Sequence, residues 1–306
     1  MAGPGTSPSF WEREFHNVKL AKPASIPFLS DELMDGLPPD CSFKAFKRPQ
    51  LRRCPFNLET IDWPRSRRID GGLDGSILKI YFQGSDIPYC LKIFWDPEAG
   101  FGGVAQFAVE RECINASVLQ KMETSVEEAV TGSSPPILIN PNPKTKEDAI
   151  DNIYGFSREG RQAGLSSLSK VDYEPMSVTS MPRMRKCYGW VKIDAHSLLE
   201  GWPRRVRPSP VQVGKFRRSF QPGREYFAIV YEWIEEEDND PATVQAVDTF
   251  LYRAGFCHQA GSHVDNWKGG VLLDLSDYVY VFARWWRRMF YEPREVDNIL
   301  QPHDQR

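Results

Sequence analysis

Regular alternation of apolar and polar positions begins near Ile69. GSILKIYF (75–82) has the period of two expected of a strand. QGSDIP makes a short connection, and YCLKIFW (89–95) reads as a second strand, so the pair predicts a β-hairpin. The spacing then turns helical in VAQFAVERECINASVLQKM (104–122), where Val104, Phe107, Ala108, Ile114, Val118 and Leu119 form a stripe. KCYGWVKID (186–194) and YFAIVYEWI (226–234) predict two more strands, the latter buried, and the acidic run EEEDND (235–240) ends it. PATVQAVDTFLYRAGFC (241–257) opens with proline where a helix tolerates it and carries a helical stripe. VLLDLSD (271–277) reads as a strand, and 278–300 as helical and strongly aromatic.

Two stretches lack such a pattern. Residues 1–67 are rich in proline and mixed charge and read as a partly disordered extension. Residues 123–182 are poor in apolar side chains and full of Ser, Pro and Gly, which predicts an irregular insertion. The division is therefore an extension (1–67), a lobe from 68 to 235 carrying the insertion 123–182, and a short helical lobe from 236 to 306. Strands followed by helices in this order predict an α+β fold with a small antiparallel sheet.

Composition narrows the function. The 306 residues are 41% hydrophobic, which supports a substantial core, and the net charge of −3 argues against a general nucleic-acid coat protein. DNA contact is left only to local basic patches at 47–53, 65–68 and 203–218. Six separated cysteines form no CxxC pair and predict buried free thiols in a reducing compartment. No run reaches the ~20 apolar residues of a membrane span, and the N-terminus lacks a signal-peptide pattern. The expected location is nuclear or cytoplasmic, without membrane contact.

Three features carry candidate chemistry. DGGLDGS (70–76) opens the first strand, with Gly72 and Gly75 able to bring backbone close to a bound group, although turn chemistry accounts for them equally. Lys92 stands among apolar neighbours, where burial demands a carboxylate partner; Glu110 and Glu112 on the next helix are the candidates. NWKGGVLLDLSD (266–277) sets Asn266 and Asp274 across a tight turn, where their oxygens could share a divalent cation or merely cap turns.

Together these resemble a protein kinase core. There a glycine loop covers the phosphates, a strand lysine pairs with a helix glutamate, and an Asn and a later Asp hold magnesium. The phrases YCLKIFW, RECINASVLQKM, AIVYEWI and DNWKGGVLLDLSD are similar to the fungal kinetochore Fta-two family, named for a subunit of the Sim-four complex and sharing a degenerate kinase-like core. The resemblance implies a kinase-like small lobe with an abbreviated, mostly helical second lobe. It implies Gly72, Gly75, Lys92 and Glu112 on the nucleotide side, with Asn266 and Asp274 at the metal position. Tyr231 falls where the hinge gatekeeper stands. ATP and magnesium are implied only if the site still binds them.

The departures point away from catalysis. Asp70 replaces the first glycine of the loop, and Asp74 adds a second carboxylate where a triphosphate would lie. Gly261 stands where the base belongs, about five residues before the metal Asn. A rival register, His263-Val264-Asp265, leaves too little chain before Asp274. Ser276 replaces the glycine after the metal Asp, and the chain after Asp274 is too short for a full substrate lobe. The expectation is a non-catalytic scaffold, possessing no catalytic residue and partnered by other protein subunits of a nuclear complex. The alternative is an atypical ATP-dependent phosphotransferase using Asp265 as base.

Overall fold

The computed structural model describes residues 28–99, 107–164, 173–214, 216–259 and 264–301. The fold is α+β. Its centre is a seven-stranded sheet built from β1 (Leu29–Leu33), β2 (Leu51–Arg53), β3 (Arg67–Gly71), β4 (Gly75–Ile80), β5 (Tyr89–Phe94), β8 (Cys187–Asp194) and β11 (Glu225–Glu232). The spatial order is β1-β2-β8-β11-β5-β4-β3. The five strands from β8 to β3 pair antiparallel, while β2 joins β8, and β1 joins β2, in parallel. Gly189 makes the β2 junction close: its φ is +109°, and a Cβ there would meet Arg52 O at 2.6 Å.

Both faces of the sheet are covered, which is why β5 and β11 read as nearly continuous apolar runs. Leu91, Ile93 and Trp95 face one cluster with Val191, Ala228 and Val230, closed over by Leu198, Trp202 and Phe220. Cys90, Phe94, Ile229 and Tyr231 belong to the opposite cluster, against the long helix α2 (Ala108–Val130). Strand alternation puts Lys92 on that same helix-facing side. Helix α2 follows the five-residue α1 (Phe43–Lys47) in the chain and has fifteen buried positions, including Arg111, Glu112, Asn115 and Lys121. Buried polar side chains dilute its apolar stripe, so each needs an internal partner.

Among the described residues of 123–182, helices and a strand pair contribute to the core, contrary to the irregular insertion expected, with exposed turns between them. Helix α2 runs on to Val130. It is followed by β6 (Ile137–Ile139), α3 (Lys146–Phe156), α4 (Arg158–Ala163) and β7 (Met176–Val178), with β6 and β7 paired antiparallel. Ile137, Ile139, Ala149, Ile153 and Phe156 are among the most buried residues of the chain. The density of apolar residues is low, but several of those described, from Val126 to Phe156 and Val178, are buried in the main cluster. Helix α3 carries a Thr145/Asp148 capping box, a local start signal independent of hydrophobicity.

Residues 28–67 are likewise part of the fold rather than an extension; residues 1–27 lie outside the described residues. Nor is 236–306 mostly helical. After α5 (Pro241–Arg253) it forms β12 (Phe256–His258), β13 (Trp267–Lys268), β14 (Val271–Leu272) and β15 (Tyr278–Tyr280), and ends with the four-residue α6 (Val296–Ile299). The aromatic run 282–291 wraps irregularly instead of coiling, with Trp286 and Tyr291 packed into the core. The basic patches are partly structural: Arg52 is buried in β2, and Arg218, on β10 (Phe216–Arg218) paired with β9 (Val211–Val213), makes a buried ion pair to Asp96 at 2.7 Å. All six cysteines are buried and unpaired. No helix among the described residues is long and apolar enough to cross a membrane.

Candidate functional site

Lys92 and Glu112 form a fully buried ion pair between β5 and α2. The hydroxyl of Tyr231, from the same face of β11, donates to the other Glu112 oxygen at 2.7 Å. Glu110 makes no contact with Lys92 and lies half-buried. On its second side Lys92 meets Asp274 at 3.1 Å. Burial alone would lower the Lys92 ammonium, but the charges of Asp274, Glu112 and Asp74 outweigh it and hold the lysine above its ordinary value. For Glu112 burial dominates and pushes the carboxyl up to about 7, against the pull of Lys92 and Tyr231.

The glycine loop closes on this pair. Gly72 N donates to Gly75 O, and Trp95 Nε1 donates to Gly72 O at 2.9 Å, so the loop is pinned to the strand beneath it. Gly72 is exposed with open space around it, whereas a Cβ on Gly75 would lie 2.5 Å from Ile93 O. Gly75 is thus required by the close approach of β4 and β5. Gly75→Ala should lower stability by about 1–3 kcal/mol, while Gly72→Ala should change it by less than about 0.5 kcal/mol. Urea melts of the two variants check this, and equal effects would contradict the assignment.

The closed loop turns Asp74 inward. Its carboxylate and that of Asp274 each lie 2.7 Å from the Ser276 hydroxyl, whose single proton cannot satisfy both. Asp274 also accepts from Ser276 N, so it caps the turn of 275–277. Burial would raise its carboxyl, but Lys92 and the two Ser276 donors overcome that and hold it well below the usual carboxylate range. Asp277 goes the other way: burial first, then the charges of Asp274 and Asp74, lift it to about 7. Asn266 Nδ2 donates to Asp277 Oδ2 at 2.7 Å. The pair expected at a metal position is therefore engaged elsewhere, Asn266 with Asp277 and Asp274 with Lys92 and Ser276. Among the described residues no cluster of His, Cys, Asp or Glu is arranged to hold a metal ion.

A cavity of about 810 Å³ opens beside these groups, within the size range of small-molecule sites. Lys92, Asp274, Asn266 and the exposed Asp265 line it, together with Trp233 and the acidic segment 236–238. Arg185 stacks over Tyr231 at 4.8 Å and donates to the carbonyls of Glu232 and Leu273, tying the end of β11 to the Asp274 segment. Gly261 and His263 lie outside the described residues, as does the side chain of Asp70.

Sequence reading missed Asp277 and Asn115. Asn115 Nδ2 donates to the carbonyls of both Leu275 and Tyr278 at 2.8 Å, fixing the acidic turn to α2. A buried Asn three residues after Glu112, on the same helix face, was the one available signal. Compared with family models, curated proteins and solved structures, the chain matches none of them.

Proposed function

We propose that this protein is a non-catalytic, kinase-like scaffold that serves a multi-subunit nuclear assembly of the kinetochore type. The observation that carries the reading is Asp74. The glycine loop delivers a carboxylate onto Ser276 and into the electrostatic reach of Lys92, the position a phosphate would need. Phosphoryl transfer depends on placing phosphates, metal and nucleophile together and on stabilising their charge. Here the buried Lys92 ammonium is already shared between Glu112 and Asp274, and the adjoining cavity wall is acidic. The kinase-like part of the reading is supported by the antiparallel order β3-β4-β5-β11-β8, with the long helix following the lysine strand and supplying its glutamate. The assignment to a kinetochore-type assembly rests on the sequence resemblance alone.

One observation favours an atypical phosphotransferase: exposed Asp265 lines the same cavity as Lys92 and Asp274. Thermal unfolding with magnesium and ATP separates the readings, because a ligand that binds only the native state must raise the midpoint. The expected shift at millimolar Mg·ATP is below about 1 °C, with no phosphate transferred to the protein or to a peptide. Transfer that disappears in Asp265→Ala or Asp274→Ala would overturn the scaffold reading.

A further inference from the structure

A second cavity, of about 670 Å³, lies outside the Lys92 cleft, between α1, β2 and the middle of α2. Five cations line it, Lys44, Lys47, Arg48, Arg52 and Lys121, against the two carboxylates Glu32 and Asp40. Three of the five are exposed at its mouth, but Arg52 and Lys121 are buried, with 9% and 5% of their surface accessible. Neither makes an ion pair among the described residues. Lys121 Nζ donates to the hydroxyl and carbonyl of Ser117, whose own hydroxyl donates to Gln50 O in the turn before β2. Arg52 uses Nη1 on Leu37 O at 2.8 Å, while its Nε is buried with no acceptor.

Two buried cations facing one cavity, neither in a direct ion pair, are a costly arrangement in a folded chain. Burial, reinforced by the like charge of Arg52, draws the Lys121 ammonium down to about 8 despite Cys41, Asp40 and Glu32 acting the other way. A phosphate group supplies what these donors lack: about two negative charges and several acceptor oxygens, arranged tetrahedrally so that a pair of them can meet a planar guanidinium. We propose that this cavity is a binding site for a phosphorylated side chain of a peptide segment, with Arg52 and Lys121 holding the phosphate and Lys44 and Arg48 drawing it in.

A peptide fits better than a nucleic acid. The buried donors suit one phosphate rather than a phosphate run, and Glu32, Asp40 and the net charge of −3 oppose a polyanion. The cavity also continues into a groove along α2, sharing Pro39, Arg52 and Gln120 with it, where Met34, Leu119 and Met184 offer apolar surface to the flanking chain.

The test uses the full chain and titration calorimetry at pH 7 with four probes: sodium phosphate, the peptide Ala-Ala-phosphoserine-Leu-Ala-Leu, its unphosphorylated twin, and a single-stranded oligonucleotide. The phosphopeptide should bind at least about tenfold more tightly than its twin and more tightly than phosphate alone. That preference should be lost in Lys121→Met and in Lys44→Glu/Arg48→Glu; the latter pair changes only exposed positions, so it reads out binding even where loss of a buried residue disturbs folding. Equal binding of the two peptides, an unchanged preference in both variants, phosphate binding with no gain from the peptide, or a tighter oligonucleotide would each overturn the proposal.

Discussion

Replacing Lys92 with methionine should cost about 3–5 kcal/mol at pH 7, the range for leaving a buried charge without its partner. Lys92 is 4% exposed and is the ammonium shared by Glu112 and Asp274. Its removal leaves Glu112 wholly buried with only the Tyr231 hydroxyl, and leaves Asp274 beside Asp74 without a balancing charge. These acids then have folded-state pKa values above their unfolded ones. Their contribution is fully present below the unfolded values and is lost as pH rises, so the deficit should narrow between pH 7 and pH 5. Adding Glu112→Gln to Lys92→Met should recover part of the loss, since an amide can still accept from Tyr231 and carries no charge. Urea unfolding across that pH range measures all three. A loss below about 1 kcal/mol at pH 7 would mean the pair behaves as a solvated surface bridge.

The opposite sign is expected at Asp277. Burial and the charges of Asp274 and Asp74 raise this carboxyl from 3.8 to about 7, with Arg111 and Lys92 only partly offsetting them. A carboxyl raised in the folded state contributes most below its unfolded value and loses that contribution as pH climbs through the folded value. The native protein should therefore lose stability between about pH 4 and pH 8 on account of this group. Asp277→Asn removes the ionisation and keeps an oxygen to accept from Asn266. The variant should be more stable than the native chain by about 1–3 kcal/mol at pH 8, with the gap closing toward pH 4. A variant less stable at pH 8 would show that the ionised carboxylate is favourable where it stands, contrary to the electrostatics described.

The ion pair is legible in the sequence because strand chemistry exposes it. A lysine inside YCLKIFW has no solvent-facing side to occupy, and the following helix offers carboxylates at a fixed reach. Of the two candidate glutamates, Glu112, the one the kinase resemblance implies, is the one that meets Lys92. Asp74 is visible in the sequence as a charge in the glycine loop, but whether it points in or out depends on the turn closed by Trp95 and Gly75. The elevated carboxyl of Asp277 has no sequence signal, because it arises from burial first and then from two aspartates, one of them some two hundred residues away in the chain.

The sequence by itself determined the local elements whose hydrophobic period is strong: the β4-β5 hairpin, most of α2, β8, β11 and α5. It also carries the identities Gly261 and Ser276, the departures from the kinase pattern on which the proposed lack of catalysis draws. Tertiary structure decided the rest. It made 137–163 core although the stretch is poor in apolar residues, because burial depends on where side chains point, not on how many there are. It turned the aromatic run after Tyr278 away from a helix, since Tyr280, Trp286 and Tyr291 fill separate gaps between α5, β12 and α1 that a straight helix face cannot reach together. It gathered Arg52 and Lys121, from a basic stretch and a helix that read as unrelated, around one cavity. Long-range packing sets all three outcomes, and no window of sequence contains both sides of such a contact.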